Sequence, residues 1–600
     1  MRYRSCASST WWQVINISLL SLGICGYAAA KPATPPREIP TATLELLRDA
    51  GGELTPTVRA SYVDWAKGIV LGQLSAAKFV VPDDALHEIE ASPTMTDAVF
   101  ASVSPPDKTI LENFVELRTK LGPAFVQKYR SLVVAAAVGH RKNGVSSRDL
   151  SEDVVPDAED LEVGSELPEP DVPTKEEAPD ELAGAVAEFM KSTHSSALEI
   201  FDQPMKQQQL REFLKSRNVS PKAAARVDEP KALGRALKSA MVVLGQRPAK
   251  RQPRPDVATW LKYLASVYES SPTIPPVNDK DPKRWPLFPI DRAPWPLLMP
   301  LSRPMPLDEA RYIYEKFEGE HGKDRYHTYG PYRKWEGELR ASLVPSPWHW
   351  GAWPDRIMHG GVCTTMSGIA IDTHRALCQP ALPAGQPHHS NLMSYHNSDG
   401  QWSAHIDQAF AGGPAVTHAL WMFNDVKDGP ARLIKKGEAG AEYNLGLGAA
   451  MNVGLRSYID SRIAVHLYRA LSDSEKPTIG AKLLAGATKA NGFNPQPWYL
   501  LAEQTKTATE GLPLARAVFA HVPSPEMVRA AKDEKKIEHK LKVKKLSKPS
   551  AAEVAQREYW DTVAKFVART AIERHGTPTD EKEARAVKGF LQAVGQPLTE

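Results

Sequence analysis

Cysteine is scarce in this chain: four in 600 residues. Cys6 and Cys25 fall in an N-terminal leader, so a processed chain keeps only Cys363 and Cys378. That excludes a disulfide scaffold. If residues 364 to 377 are helical, the two thiols lie about 20 Å apart at ~1.5 Å per residue. A disulfide needs Cα atoms within about 7 Å, so both thiols are expected free. Charge of one sign is lacking too: 74 basic against 71 acidic residues leave +3, which gives no pull towards nucleic acid. Beyond the leader no run is apolar enough to cross a bilayer, so no integral membrane segment is expected after the leader is removed.

The leader itself is informative. Arg2 and Arg4 precede the apolar run Val14 to Ile24, and Ala28-Ala29-Ala30 supplies small residues for cleavage. Residues 1–30 therefore read as a signal peptide, and the protein as exported: periplasmic, cell-envelope or extracellular. A retained anchor is the alternative. Ile24 is too bulky for lipoprotein processing before Cys25.

At 600 residues several cores are expected. Residues 31–148 form an N-terminal helical region behind a Pro-rich tether up to 55, with Val58, Tyr62, Trp65, Ile69 and Val70 on one stripe. Residues 149–181 hold fourteen acidic residues, one lysine and five prolines, and read as a disordered acidic linker. Helical patterning returns over 182–270, with Leu182, Val186, Phe189 and Met190. Residues 271–430 form the central core, in which Trp295 to Pro300 is expected to pack across the surface. Residues 431–600 are helical again, repeat-like around Asn494 to Leu501, and end in a stretch, Lys532 to Lys548, carrying eight lysines. Runs of helices on both sides of one strand cluster imply an α+β class with separate cores.

The chemistry is concentrated in the centre. Eight of fourteen tryptophans lie between Trp285 and Trp421, and ten of seventeen histidines between His321 and His418. Gly360-Gly361-Val362-Cys363 opens a helical stripe that includes Met366, Ile369, Ala370, Thr373 and Leu377. A thiol at a helix start is stabilised as thiolate by the unpaired N–H groups there. Ala381 to Ala384 reads as a short edge strand, and His389 to Tyr395 as the next. Asn397-Ser398-Asp399-Gly400 is a hairpin turn, after which Gln401 to Asp407 returns. Cysteine, histidine and aspartate in this order can assemble a nucleophile, a base and an orienting carboxylate at one end of a sheet.

The Gly-Gly-Val-Cys motif, the Pro-Ala step, the histidine before a strand and the later Gly-x-Trp with a nearby Asp resemble the transglutaminase-like core of the papain-like cysteine enzymes. The chain is similar to exported bacterial members with the same motif. The resemblance covers residues 345 to 425. It implies Cys363 as nucleophile, His389 as base and Asp407 as orienting acid. It also implies a Cys-His-Asp acyl-enzyme mechanism on amide bonds of proteins, peptides or cell-wall peptides, with no cofactor. The family usually has glycine where Cys378 stands and a hydrophobic residue where Gln379 stands. Its aspartate commonly lies four residues after the tryptophan, where Asp407 lies five after Trp402.

Other assignments compete. His388 is the rival base, because neighbouring strand residues face opposite sides. His405 is the rival third member, and His396 beside the turn is expected to be exposed. Zinc on Cys363, His388, His389, His396 and His405 has enough ligands, yet the spacing lacks a local chelating pair. Trp350, Trp353 and Gly361 are candidates for a substrate cleft or oxyanion site, with core packing the alternative for the tryptophans. A catalytically inactive module that binds peptide or glycan is the competing function.

Overall fold

Pro40 precedes α1 (Thr41–Asp49), in which Thr43 and Leu47 are buried, so structure begins inside the stretch expected to be a tether. Thr55 then accepts a hydrogen bond from Val58 N, and Pro56 fills the first position of α2 (Pro56–Ala76). Such a cap contributes about 1 kcal/mol. Val58, Tyr62, Ile69 and Val70 are buried as their spacing predicts, while Trp65 is half-buried against Tyr62. The computed structural model describes residues 38–141, 181–248, 250–270, 273–274, 285–319, 340, 342–359, 363–386, 389–398, 400–406, 416–417 and 441–505, with isolated positions between 513 and 585. The stretches read from the sequence as a signal peptide and, but for its last residue, as an acidic linker lie outside them, as does the lysine-rich stretch.

The remaining N-terminal helices are α3 (Asp83–Glu90), α4 (Pro93–Thr96), α5 (Lys108–Leu121), α6 (Pro123–Lys128) and α7 (Arg130–Gly139). After them come α8 (Glu181–Thr193), α9 (Ala197–Asp202), α10 (Pro204–Ser216), α11 (Pro221–Ala225) and α12 (Pro230–Val243). The central part carries α13 (Val257–Ser270), α14 (Trp295–Leu298), α15 (Leu307–Gly319), α16 (Trp353–His359) and α17 (Cys363–Ala376). The described C-terminal part carries α18 (Ala441–Val453), α19 (Leu455–Ala470), α20 (Ala481–Ala490) and α21 (Pro495–Gln504). The chain is α+β, mostly helical with a small antiparallel sheet.

The packing merges most of the expected separate cores. Helices α1 to α7, α13, α14, the sheet and α18 to α21 share one continuous core. The reason lies in α19, which is buried at every position from Tyr458 to Tyr468 except Asp460 and so must be surrounded. Helix α2 supplies part of that surround. Arg59 bridges Asp97 at 2.6 Å and Asp460 at 2.5 Å, and the Tyr62 hydroxyl is hydrogen-bonded to His466 Nδ1 at 2.7 Å. Arg48 reaches Glu475 at 2.6 Å. Trp295, Leu297, Leu298 and Met299 are fully buried inside this core, where the sequence suggested a surface path.

A second, smaller core belongs to α8–α12. Leu182, Val186, Phe189 and Met190 meet Leu210, Leu214, Leu233 and Leu237 there, and Leu343 joins from a distant part of the chain. The boundary drawn at residue 270 therefore moves: α13 packs with the main core, and the small helical module ends before it.

The sheet has the order β5-β4-β3-β6, built from β3 (Ala381–Gln386), β4 (His389–Ser398), β5 (Gln401–Ile406) and the two-residue β6 (Val416–Thr417). Two further short strands, β1 (Thr273–Ile274) and β2 (Trp285–Pro286), pair with each other. Ser398 pairs with Gln401, so the connection between them is short, and Gly400 within it takes φ +80° as tight hairpin loops require. Strand β3 lies between β4 and β6 and is not an edge. Its ladder with β6 covers only Ala384 and Gly385, so the ring of Pro383 interrupts no bond on that side. Strand β5 is an edge among the described strands. There Asn452 of α18 accepts from Trp402 N and donates to Trp402 O, both at 2.7 Å, so one side-chain amide pairs with the edge backbone.

Candidate active site

Helix α17 begins at Cys363, where the sequence places the nucleophile. Its second half is fixed at several points. The indole N–H of Trp353 donates to Ile369 O at 3.2 Å and to Thr373 Oγ1 at 3.0 Å. Arg356 pairs with Asp372, and the Tyr263 hydroxyl donates to Ala376 O at 3.2 Å. Burial alone would raise the Asp372 carboxyl, but Arg356, with Arg251 and Arg375 near it, holds it below the ordinary carboxylate range.

The helix ends in a sharp reversal. Gln379 N donates to His374 O at 2.7 Å and Cys378 N to Arg375 O at 3.1 Å, with Cys378 at φ +57°. This is a Schellman end, and the residue with positive φ is the position glycine usually fills. Cys378 thus stands where the backbone calls for glycine. Its side chain is fully buried, its thiol donates to Leu264 O at 3.2 Å, and burial pushes that thiol far above its ordinary range.

The reversal lays β3 back along α17 and makes β4 parallel to it. Ala370 and Ile371 of the helix cluster with Ala381 and Leu392 of the sheet. From Ala370 back to Cys363 is about 10 Å along a helix at ~1.5 Å per residue. From Leu392 back to His389 is about 10 Å along a strand at ~3.3 Å per residue. The helix start and the start of β4 therefore lie at the same end of this layer. His389 is the first residue of β4, opposite Gln386.

Ladder parity divides β4 into two sets. Leu392 belongs with Ser390, Ser394 and His396, the set onto which α17 packs. Position 389 belongs with Asn391, Met393 and Tyr395, and the last two lie in the main core near α18. His405 is opposite Ser394 and so shares the α17 set. Strand β5 ends at Ile406, opposite Met393, four ladder positions from His389. Gly361, His388 and Asp407 lie outside the described residues. His396 is half-buried, with Nε2 hydrogen-bonded to Ser394 Oγ at 2.8 Å, where exposure was expected.

The two tryptophans proposed for the cleft separate. Trp353 is completely buried with its N–H bonded into α17, so its indole is not available to an oxyanion. Trp350 is half-buried, with Lys238 at 5.8 Å and Arg247 at 5.9 Å from its ring centre.

Sequence reading missed the ion pairs behind α16. Arg247 bonds Asp355 at 2.7 Å, with side chains 5% and 1% exposed. Arg251 holds Glu309 through two bonds of 2.6 and 2.9 Å, and Glu309 accepts from Trp353 N at 2.7 Å. These partners are separated by 108 and 58 residues, and nothing local in the sequence signals such pairing.

No family model matches the chain, and neither does any curated protein sequence or solved structure. Among the described residues no group of three or more His, Cys, Asp or Glu is placed to hold a metal ion, and no helix is long and apolar enough to cross a membrane.

Proposed function

We propose that the chain is an exported, transglutaminase-like cysteine enzyme acting on amide bonds of proteins, peptides or cell-wall peptides. What supports this reading is the packing of Ala370 and Ile371 on Leu392, from which helix and strand rises carry the starts at Cys363 and His389 toward one end of the layer. The Cys363 thiolate attacks the amide carbonyl, and the imidazolium of His389 returns a proton to the leaving amine. A thioester remains on Cys363, and water or a second amine releases the acyl group. Asp407 orients the imidazole. This chemistry draws on no cofactor.

A second reading, a catalytically inactive module that binds peptide or glycan, is favoured by one observation. Position 389 shares parity with Met393 and Tyr395 and not with Leu392, the residue that meets α17. Trapping decides between them. The protein is incubated with glutamine-containing and wall-derived peptides and its intact mass is measured, with hydroxylamine added afterwards. A hydroxylamine-labile acyl adduct on Cys363, absent from Cys363→Ala and His389→Ala, supports the enzyme. Stable peptide binding with no adduct, unchanged by Cys363→Ala, overturns it in favour of the binding module.

A further inference from the structure

The segment that leads to the nucleophile helix is fastened from two directions. On one side, Trp353 and Arg356 of α16 attach to Ile369, Thr373 and Asp372 of α17. On the other, a single guanidinium gathers the approach to α16. Arg247 Nε donates to Val344 O at 2.7 Å, and its Nη1 donates to Trp348 O at 3.1 Å and Asp355 Oδ2 at 2.7 Å. Ser346 Oγ donates to the other oxygen of Asp355 at 3.1 Å and accepts from Trp348 N at 3.1 Å. Arg247 also faces the ring of Trp350.

Arg247 does not come from the layer that carries Cys363. It follows α12 at the end of the small helical module, whose own core takes in Leu343 from the same approach segment. Next to it, Ser346 N donates to Gln246 O at 3.1 Å, and Arg340 reaches back to Asp202 at 3.0 Å. The module therefore holds residues 340–355 by a side chain in its core, a backbone bond and a forked arginine. Only arginine can serve three acceptors spread this way, because its donors are fixed in a planar fork.

We infer that Arg247 is a positioning residue for the candidate active site: through Asp355 it fixes α16 against α17, and so places the start of the Cys363 helix. The small helical module is then part of the enzyme's working body, setting the geometry of the thiol from a separate core. This inference rests on the enzyme reading only in calling Cys363 the nucleophile; the latch itself is tested independently.

The test compares wild type with Arg247→Lys and with the double variant Arg247→Met/Asp355→Asn. The double variant removes both buried charges, while the asparagine oxygen still accepts from Ser346, so it is the one expected to remain folded. Circular dichroism and thermal unfolding verify that first. Two readouts follow: amide hydrogen exchange across Trp353–His359 and Cys363–Ile369, and the pH profile of Cys363 alkylation. In the double variant exchange in those helices should rise about tenfold while α19 is unchanged. The alkylation midpoint should move upward by roughly one unit as the thiolate loses its placed partners. Arg247→Lys, which keeps the charge but not the fork, should fall between. Unchanged exchange beside an activated wild-type thiol overturns the latch and leaves the enzyme reading intact. Faster exchange beside an ordinary wild-type thiol profile keeps the latch and overturns the enzyme reading.

Discussion

Alkylation of Cys363 and Cys378 separates activation from burial, provided the whole pH range is followed. Cys378 is wholly buried, and its thiol donates to Leu264 O. Iodoacetamide reaches it only through opening of the core. Opening that costs even ~5 kcal/mol slows labelling by roughly four powers of ten. Cys363 is expected to react at a rate set by its own titration. A thiol that titrates near ~6, inside the range produced by helix N-termini and imidazole partners, is about 300 times more ionised at pH 5 than one titrating at ~8.5. Its lower basicity costs roughly tenfold in nucleophilicity, so the net advantage at pH 5 is about thirtyfold. At pH 9 both are largely ionised, and the activated thiol is about tenfold slower than an ordinary one. The two curves cross near neutrality, so a single measurement at pH 7 decides nothing. The assay is mass-mapped alkylation from pH 5 to pH 9, with an unstructured cysteine peptide as reference. Cys363 should outrun the peptide at pH 5 and lag behind it at pH 9, with Cys378 unlabelled throughout. A Cys363 curve parallel to the peptide's, or Cys378 labelled first, refutes the reasoning.

His389→Ala should raise the midpoint of the Cys363 curve and His388→Ala should leave it in place; the opposite result assigns the base to His388. Asp407→Asn should keep the thermal midpoint and lower acyl-enzyme formation by several orders of magnitude, with His405→Ala milder; the reverse order makes His405 the third member. His140 is buried, its Nε2 bonded to Ser302 O at 3.0 Å, and burial with Arg303 nearby lowers its titration to about 4 from an ordinary 6.5. An unfolded histidine takes up its proton first, so this contribution to stability is intact above pH 6.5 and drains away as pH falls to about 4. The loss is about 3 kcal/mol, and urea midpoints against pH should show a shallower fall in His140→Gln. A Cβ at Gly448 would stand 3.0 Å from Ser403 C and 3.1 Å from Ala404 N, so Gly448→Ala should force α18 off β5. We expect a net loss of about 1–2 kcal/mol after the helix-propensity gain, read from denaturant midpoints, and an unchanged midpoint would mean the helix shifts freely.

Local order was readable where the pattern is self-contained. The helix from Cys363, the turn at Gly400 and the strands on either side follow from spacing and turn chemistry, and so do the stripes of α2 and α8. Long-range assembly was not. No periodicity in α2 says that its partner is α19, because an amphipathic face states that it must be covered and not by what. Trp295 to Met299 looked like a surface ribbon because prolines interrupt it, yet apolar side chains without a helical period can still fill a core. In the site itself, the order of Cys363, His389 and Asp407 was legible, while the facing of position 389 depends on ladder parity. The Arg247–Asp355 latch was invisible, since buried ion pairs are made by tertiary geometry alone.

The joining of α2 to α19 has a consequence in time. Arg59 and Asp460 are 401 residues apart, Tyr62 and His466 404, and Arg48 and Glu475 427. Synthesis at about 5–20 residues per second delivers the first helices roughly 20 to 80 seconds before the helix they must enclose. Through that interval Tyr62, Val70 and their neighbours have no α19 to cover them. Contacts so distant also demand that a long loop be closed before they give any return. The small module of α8–α12 is spared this, because nearly all its core is local and only Leu343 arrives later. The arrival of α19, and not the making of α2, decides when the N-terminal helices are enclosed.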